Sequence, residues 1–245
     1  MWKSSSPTGK AKSLPAKAET ILILGGTKEA AALAADLVNT HADWRIITSL
    51  AGRTKEPKPV AGEVRIGGFG GAEGLADYLR RENVTSLIDA THPFARQISA
   101  NAKQAAALTS IPLDIRTRAP WQKQPGDNWV EFLSLEDARD ALPATARVLL
   151  ALGSQHIAPF ASRTDVHFVV RMVDKPDQPL PLPDHELVTG LPGNVEHETR
   201  LLNQHRITHI VCRNSGGAGA YAKIEAARQK SVTVFMIASP DKISA

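Results

Sequence analysis

Two glycines and a threonine follow four consecutive apolar residues in Ile21-Leu22-Ile23-Leu24-Gly25-Gly26-Thr27. A turn of this kind, when it opens a helix, lets backbone N–H groups approach a phosphate, and the helix N-terminus favours the negative charge. Gly25, Gly26 and Thr27 are therefore candidate pyrophosphate ligands. The match to the Gly-x-Gly-x-x-Gly fingerprint is partial, because the later positions hold Thr27 and Ala30. A second candidate lies one strand on, in Ser49-Leu50-Ala51-Gly52-Arg53-Thr54. In a dinucleotide fold this tip lies beside the adenosine ribose. A carboxylate there takes the 2′-hydroxyl of NAD, and an arginine suits the 2′-phosphate of NADP. No carboxylate occurs before Glu56, so Ser49, Arg53 and Thr54 point to NADP(H).

Three further stretches carry possible chemistry. Gly67-Gly68-Phe69-Gly70-Gly71 holds four glycines in five residues and must lie against something; Gly68 is its candidate cofactor contact. Thr91-His92 ends a fourth apolar run. His92 reads equally as a helix cap or as a contact to the nicotinamide ribose or the substrate. Asn214-Ser215-Gly216-Gly217 is another glycine turn and a candidate anion site. Other chemistries are missing. Neither Tyr78 nor Tyr221 has a lysine four residues on, and neither His-Glu pair has a histidine at the fifth position. There is no Gly-x-Ser-x-Gly elbow and no Walker lysine, and the eight histidines show no metal spacing. What remains is a cofactor that brings a reactive hydride to a protein that positions and polarises.

The elements that must hold these residues alternate. Strands are expected at Ile21–Leu24, Trp44–Leu50, Val64–Ile66, Ser86–Thr91 and Pro112–Arg116. Helices fall between them, including one that starts at Pro93 with Thr91 or His92 as its cap and runs to about Leu108. Alternation of this kind implies a doubly wound parallel sheet with its ligand edge at the carboxyl ends of the strands. Residues 116–128 are rich in Pro and Gly and read as an interdomain linker. The second half alternates again, with glycine turns after Leu152 and after Arg213, each a possible anion site at a helix start. The expected fold class is α/β, two Rossmann-like doubly wound domains with a cleft between them.

Bulk properties narrow the partners. The chain has 245 residues, 42% hydrophobic and 22% charged, enough to fill real cores. Its single cysteine, Cys212, allows no internal disulfide and fits a reducing cytoplasm. No apolar run approaches the roughly 20 residues that span a bilayer. Residues 1–19 read as a disordered tail that carries four lysines of a net charge of +4. The remainder is near balance and aromatics make up 5%, so no nucleic-acid surface is expected.

Taken together, Leu24-Gly25-Gly26-Thr27-x-Glu29, Ser49-Leu50-Ala51-Gly52-Arg53, Gly67–Gly71, Asp89-Ala90-Thr91-His92-Pro93-Phe94-Ala95 and Asn214–Gly217 resemble the precorrin-6A reductase family of cobalamin biosynthesis. The resemblance runs in order from about Ile21 to the C-terminus, with Lys28 standing where many relatives are expected to hold a small polar residue. It implies NADPH-dependent reduction of precorrin-6A to precorrin-6B, a ring C=C reduction, with the metal-free macrocycle favoured over the cobalt-bound one. It implies NADPH on residues 20–118 and the tetrapyrrole against a second domain, 119–245. On this reading Gly25, Gly26 and Thr27 hold the pyrophosphate, and Ser49, Arg53 and Thr54 the 2′-phosphate. Thr91 and His92 border the nicotinamide. Arg116, Arg171, Arg213 and Lys223, with Asn214, Ser215, Gly216 and Gly217, meet the carboxylates of the ring. His92, Lys223, the substrate or water supplies the proton, and the sequence does not decide among them. The partner implied is the tetrapyrrole, with transient contact to other cobalamin enzymes, and no resident metal. The other class weighed is a non-catalytic NADP(H)-binding sensor, which needs no second anion-lined sheet.

Overall fold

Ile21, Leu22, Ile23 and Leu24 are all buried, as a strand covered on both faces must be. They belong to β1 (Thr20–Leu24) of a computed structural model that describes residues 18–52 and 59–239. Arg53 and Thr54 lie outside the described residues, as does most of the N-terminal tail. β1 is the middle strand of a five-stranded sheet ordered β3-β2-β1-β4-β5, all parallel. Its other members are β2 (Arg45–Leu50), β3 (Glu63–Ile66), β4 (Ser86–Asp89) and β5 (Leu113–Ile115). Helix α1 (Lys28–Thr40) covers one face through Ala30 and Ala34. Helices α2 (Gly71–Arg81) and α3 (Arg96–Thr109) pack side by side on the other.

The second sheet has six parallel strands: β6 (Trp129–Phe132), β7 (Arg147–Ala151), β8 (His167–Met172), β9 (His185–Thr189), β10 (His209–Arg213) and β11 (Thr233–Ile237). Their order is β6-β11-β10-β7-β8-β9. Helix α4 (Leu135–Asp140) lies on one face; α5 (Val195–Gln204) and α6 (Ala222–Lys230) lie on the other. The second half therefore shares the alternation of the first but not its strand order. In the first sheet the chain reverses direction across the sheet between β1 and β4, and in the second between β7 and β10. Such switch points leave a crevice outside the strand ends, where ligands of doubly wound sheets bind.

Two sequence expectations are corrected. Helix α3 starts at Arg96, not Pro93: the Ala95 N–H turns back onto the His92 carbonyl in a tight turn, within which His92 Nδ1 accepts from the Phe94 N–H at 3.2 Å. Thr91 to Ala95 is thus a turn that precedes the helix. The glycine turn after Leu152 leads into a short 3-10 segment, Ser154–His156, and offers no α-helix N-terminus.

Residues 116–128 do not hang between the sheets. The Asn214 side chain, 1% exposed, accepts from the Trp121 N–H at 2.7 Å and donates to the Trp121 carbonyl at 3.0 Å. Trp121 Nε1 donates to the Gly217 carbonyl at 2.7 Å, and its indole is buried in the α5/α6 core. Three residues earlier, Arg118 Nη1 reaches both carboxylate oxygens of Glu29 on α1, each at 3.3 Å. The connection is thereby fastened to both sheets. Replacing Asn214 by Ala leaves two buried backbone groups unpaired and is expected to cost about 2–4 kcal/mol. Urea unfolding of the variant checks this; a loss below about 0.5 kcal/mol, the range of an ordinary surface change, would remove the clamp from the account.

Candidate active site

At the first switch point the turns after β1 and β4 are tied together. Thr27 accepts from the Ala30 N–H at 3.0 Å, capping α1, and donates to the Ala90 carbonyl at 3.1 Å. The two glycines before it do different jobs. A Cβ on Gly25 would lie 2.9 Å from Thr48 Cγ2, so Gly25 is small to let β1 pass β2. Gly26 has φ +100° and open space where a Cβ would stand. It leaves a bare backbone in front of the first turn of α1, whose leading N–H groups have no partner within the helix.

Asp89, at the end of β4, was not singled out by sequence. Its carboxylate is buried and accepts from the Thr91 N–H at 3.1 Å, the Thr91 hydroxyl at 2.6 Å and the Ser99 hydroxyl at 2.5 Å. It anchors the Thr91–Ala95 turn to the first turn of α3. The Thr91 hydroxyl proton is spent on Asp89, so what Thr91 can offer a ligand is its hydroxyl lone pairs. His92 is half-buried, and Nδ1 accepts from Phe94. A neutral ring so held carries its proton on Nε2.

Arg65 on β3 also escaped the sequence reading. Its guanidinium donates to the Gly67 carbonyl at 2.5 Å, the Gly68 carbonyl at 2.6 Å and Ser49 Oγ at 3.3 Å, and lies 3.8 Å over the Phe69 ring. It therefore places a cation at the tips of β2 and β3, beside Ser49 and Gly68. Its signal was present, since an arginine two residues before a glycine run can only turn back onto that loop or face solvent.

At the second switch point Arg213 spans the crevice. Its Nη2 donates to the Leu152 carbonyl, at the end of β7, at 3.0 Å. The same guanidinium lies 4.9 Å from the centre of the Phe94 ring, which packs on the core of the second sheet. So the turn that carries His92 faces the carboxyl edge of the other sheet. The two switch points look at each other, joined on one side by Phe94 and Arg213 and on the other by Glu29 and Arg118.

Several expected carboxylate ligands have other partners. Arg171 is buried and donates through Nη1 to both oxygens of Glu198, each at 2.6 Å, with Glu198 only 1% exposed. Asn214 is buried and engaged with Trp121 through both ends of its amide. Gly216 (φ +63°) and Gly217 (φ +72°) are glycines because side chains there would meet the Ala119 carbonyl, Glu29 and Arg118. Ser215 is buried and its N–H goes to the Arg213 carbonyl. Lys223 is 4% exposed, donates to the Ala220 carbonyl at 2.7 Å, and sits 4.8 Å from the Trp121 ring, which covers it. The Arg171, Asn214 and Lys223 side chains are thus buried and committed to partners within the second half, and Lys223 in this arrangement is covered rather than open to the cleft. Arg116 is exposed but paired with Asp114 at 2.6 Å. Burial pushes the Cys212 thiol up, so it is no thiolate nucleophile at neutral pH.

Known proteins are similar to this chain in sequence and fold. The family model described as precorrin-6x reductase CbiJ/CobK matches residues 20–245. The precorrin-6A reductase of Rhodobacter capsulatus is 48% identical over 222 residues, covering 90% of this chain and 88% of its own. A solved structure titled CobK precorrin-6A reductase superposes with a TM-score of 0.87 at 47% identity, covering 91% of this chain and 88% of its own. A cobalt-precorrin-6A reductase of Priestia megaterium is more distant, 30% identical over 232 residues and covering 90% of each chain. The chain belongs to the precorrin-6x reductase CbiJ/CobK family.

Two measurements check the reassigned charges. Removing Arg171 alone strands the Glu198 carboxylate and is expected to cost about 3–5 kcal/mol, whereas removing both for apolar residues costs less. A stable Arg171→Ala variant that had lost only substrate binding would return Arg171 to the site. Burial lowers the Lys223 pKa in the folded state below its unfolded value. Between those two values the unfolded chain binds more protons, so stability rises with pH through that window, up to roughly pH 10. Against Lys223→Met, the wild type should gain stability on going from neutral to alkaline pH; parallel urea profiles would contradict this.

Proposed function

We propose that this precorrin-6A reductase of cobalamin biosynthesis takes its hydride from NADPH held along the carboxyl edge of the first sheet, with the macrocycle between that edge and the second. The observation that carries the reading is the facing pair of switch points, with the His92 turn seated against Arg213. The first edge fits a dinucleotide. Gly26 has a bare backbone with open space before α1, and nothing stands where side chains on Gly67, Gly68 and Gly70 would reach. Gly25 contributes by packing, Gly26 and Thr27 by the backbone that meets the pyrophosphate. Ser49 and Gly68 lie at the adenosine end with the Arg65 cation, and Arg53 and Thr54, outside the described residues, are the proposed 2′-phosphate contacts. The residues 20–118 and 119–245 then divide the work, cofactor on one and macrocycle on the other.

When bound, the nicotinamide supplies the hydride, and the chain has three tasks. It borders the nicotinamide with Thr91 and His92, on the turn that Asp89 anchors. It excludes water by closing the two edges on each other. It delivers a proton to the carbon next to the one reduced; His92 can do so as the imidazolium, with Nδ1 released from the Phe94 N–H, since the neutral ring would be left as imidazolate. Arg213 is the arginine at the second edge that can pair a substrate carboxylate while stacked on Phe94. The metal-free ring is the favoured substrate, since the relative named for it is the nearer in sequence.

The test is anaerobic turnover of enzymatically prepared precorrin-6A with NADPH and NADH in parallel. Loss of NADPH absorbance together with a change in the tetrapyrrole spectrum is expected, with NADH slow. His92→Gln should lower kcat by about 100-fold, the lower range for a lost general acid. An unchanged kcat would assign the proton to solvent, and no turnover with either precorrin-6A or its cobalt form would overturn the reading.

A further inference from the structure

Lys28 is the first residue of α1, yet its side chain leaves the cofactor turn. A Cβ on Gly219 would lie 3.5 Å from Lys28 Cδ and 3.9 Å from Nζ. The lysine is laid along the glycine turn of the second domain, and it lines an open cavity of about 880 Å³. The other walls belong to the connection and the second domain: Trp121 and Gln124, Asn194 at the start of α5, and Gly219 and Tyr221 ahead of α6. The cavity is large enough for one limb of a big ligand.

Its chemistry is that of an alkyl carboxylate site. The Trp121 indole and the Tyr221 ring, with centroids 5.7 Å apart, give an aromatic wall for methylene groups. The Tyr221 hydroxyl accepts from Arg228, so its own proton is left to donate. Helices α5 and α6 both begin at the cavity and turn their positive ends toward it. Glu225 is the only carboxylate among the lining residues, and Lys28 is the only cation. A pyridine dinucleotide is poorly served here, because every wall but Lys28 lies off the first sheet.

We propose that this cavity receives a carboxylate-bearing side arm of the tetrapyrrole and that Lys28 binds the carboxylate. The inference rests on the reading above, in which the macrocycle lies between the two sheets. It gives a residue of the cofactor turn a substrate-side task, and so couples the placing of the two ligands.

Lys28→Gln tests it on an exposed position where folding is not at stake. The KM for precorrin-6A should rise about 3–10-fold, the range for a partly solvated charge-assisted hydrogen bond. The Kd of NADPH, followed by its fluorescence, should stay within about two-fold, well under the ten-fold that 1.4 kcal/mol represents. Lys28→Arg should recover most of the loss. An independent readout is acetylation of Lys28 measured by mass spectrometry, slowed by precorrin-6A and not by NADPH. An unchanged KM, or protection by NADPH alone, overturns the inference while leaving the reductase reading intact. Failure of the unsubstituted protein to bind or turn over precorrin-6A would overturn both.

Discussion

The two backbone hydrogen bonds that Asn214 makes to Trp121 hold the architecture together. They fix the connection 116–128 onto the carboxyl end of β10, and Trp121 Nε1 fixes the following glycine turn in return. Once that is done Arg118 can only point at α1, where it meets Glu29. A doubly wound sheet offers its ligand edge by topology alone. Two such sheets form one site only if their edges are turned toward each other, and this short stretch of chain sets that angle.

The same economy runs through the site. At each switch point a side chain bridges the crevice to a carbonyl, Thr27 to Ala90 in the first sheet and Arg213 to Leu152 in the second. These bonds satisfy polar backbone at strand ends that would otherwise need water. They also leave the outward face of each crevice defined before a ligand arrives, which is the condition for placing two reactants at a fixed distance. Buried charge is spent elsewhere on structure. The Arg171–Glu198 pair anchors the first turn of α5, and Glu198 takes the Gly193 N–H at 3.0 Å as well.

How much of this could be read beforehand follows from how local each signal is. Ile21–Leu24 and Val148–Leu150 announce buried parallel strands because four or three apolar residues in a row leave no solvent face. The glycine turn after β1 was legible for the same reason. Arg171 reads as a carboxylate ligand because its Glu198 partner lies 27 residues away, and a strand arginine shows no sign of an internal carboxylate in its own stretch. Asn214 and Trp121 are 93 residues apart, so the clamp made by the glycine turn, which reads from the sequence as an anion site, carries no local signal. Pro93 suggests a helix start, but the Ala95 N–H turns back onto the His92 carbonyl and Asp89 holds Thr91, so the chain closes a separate turn before the helix begins at Arg96. The order of the second sheet depends on which crossover lands beside β7, and no stretch of sequence carries that.

In the mechanism proposed above, hydride passes directly across the cleft between the two facing edges. The most direct measurement is product analysis after turnover with NADPH deuterated at one or the other C4 position. A nicotinamide held in one orientation against the macrocycle predicts deuterium at the reduced ring carbon from one labelled form and none from the other. Label arriving from both forms, or washing out into solvent from both, would contradict it.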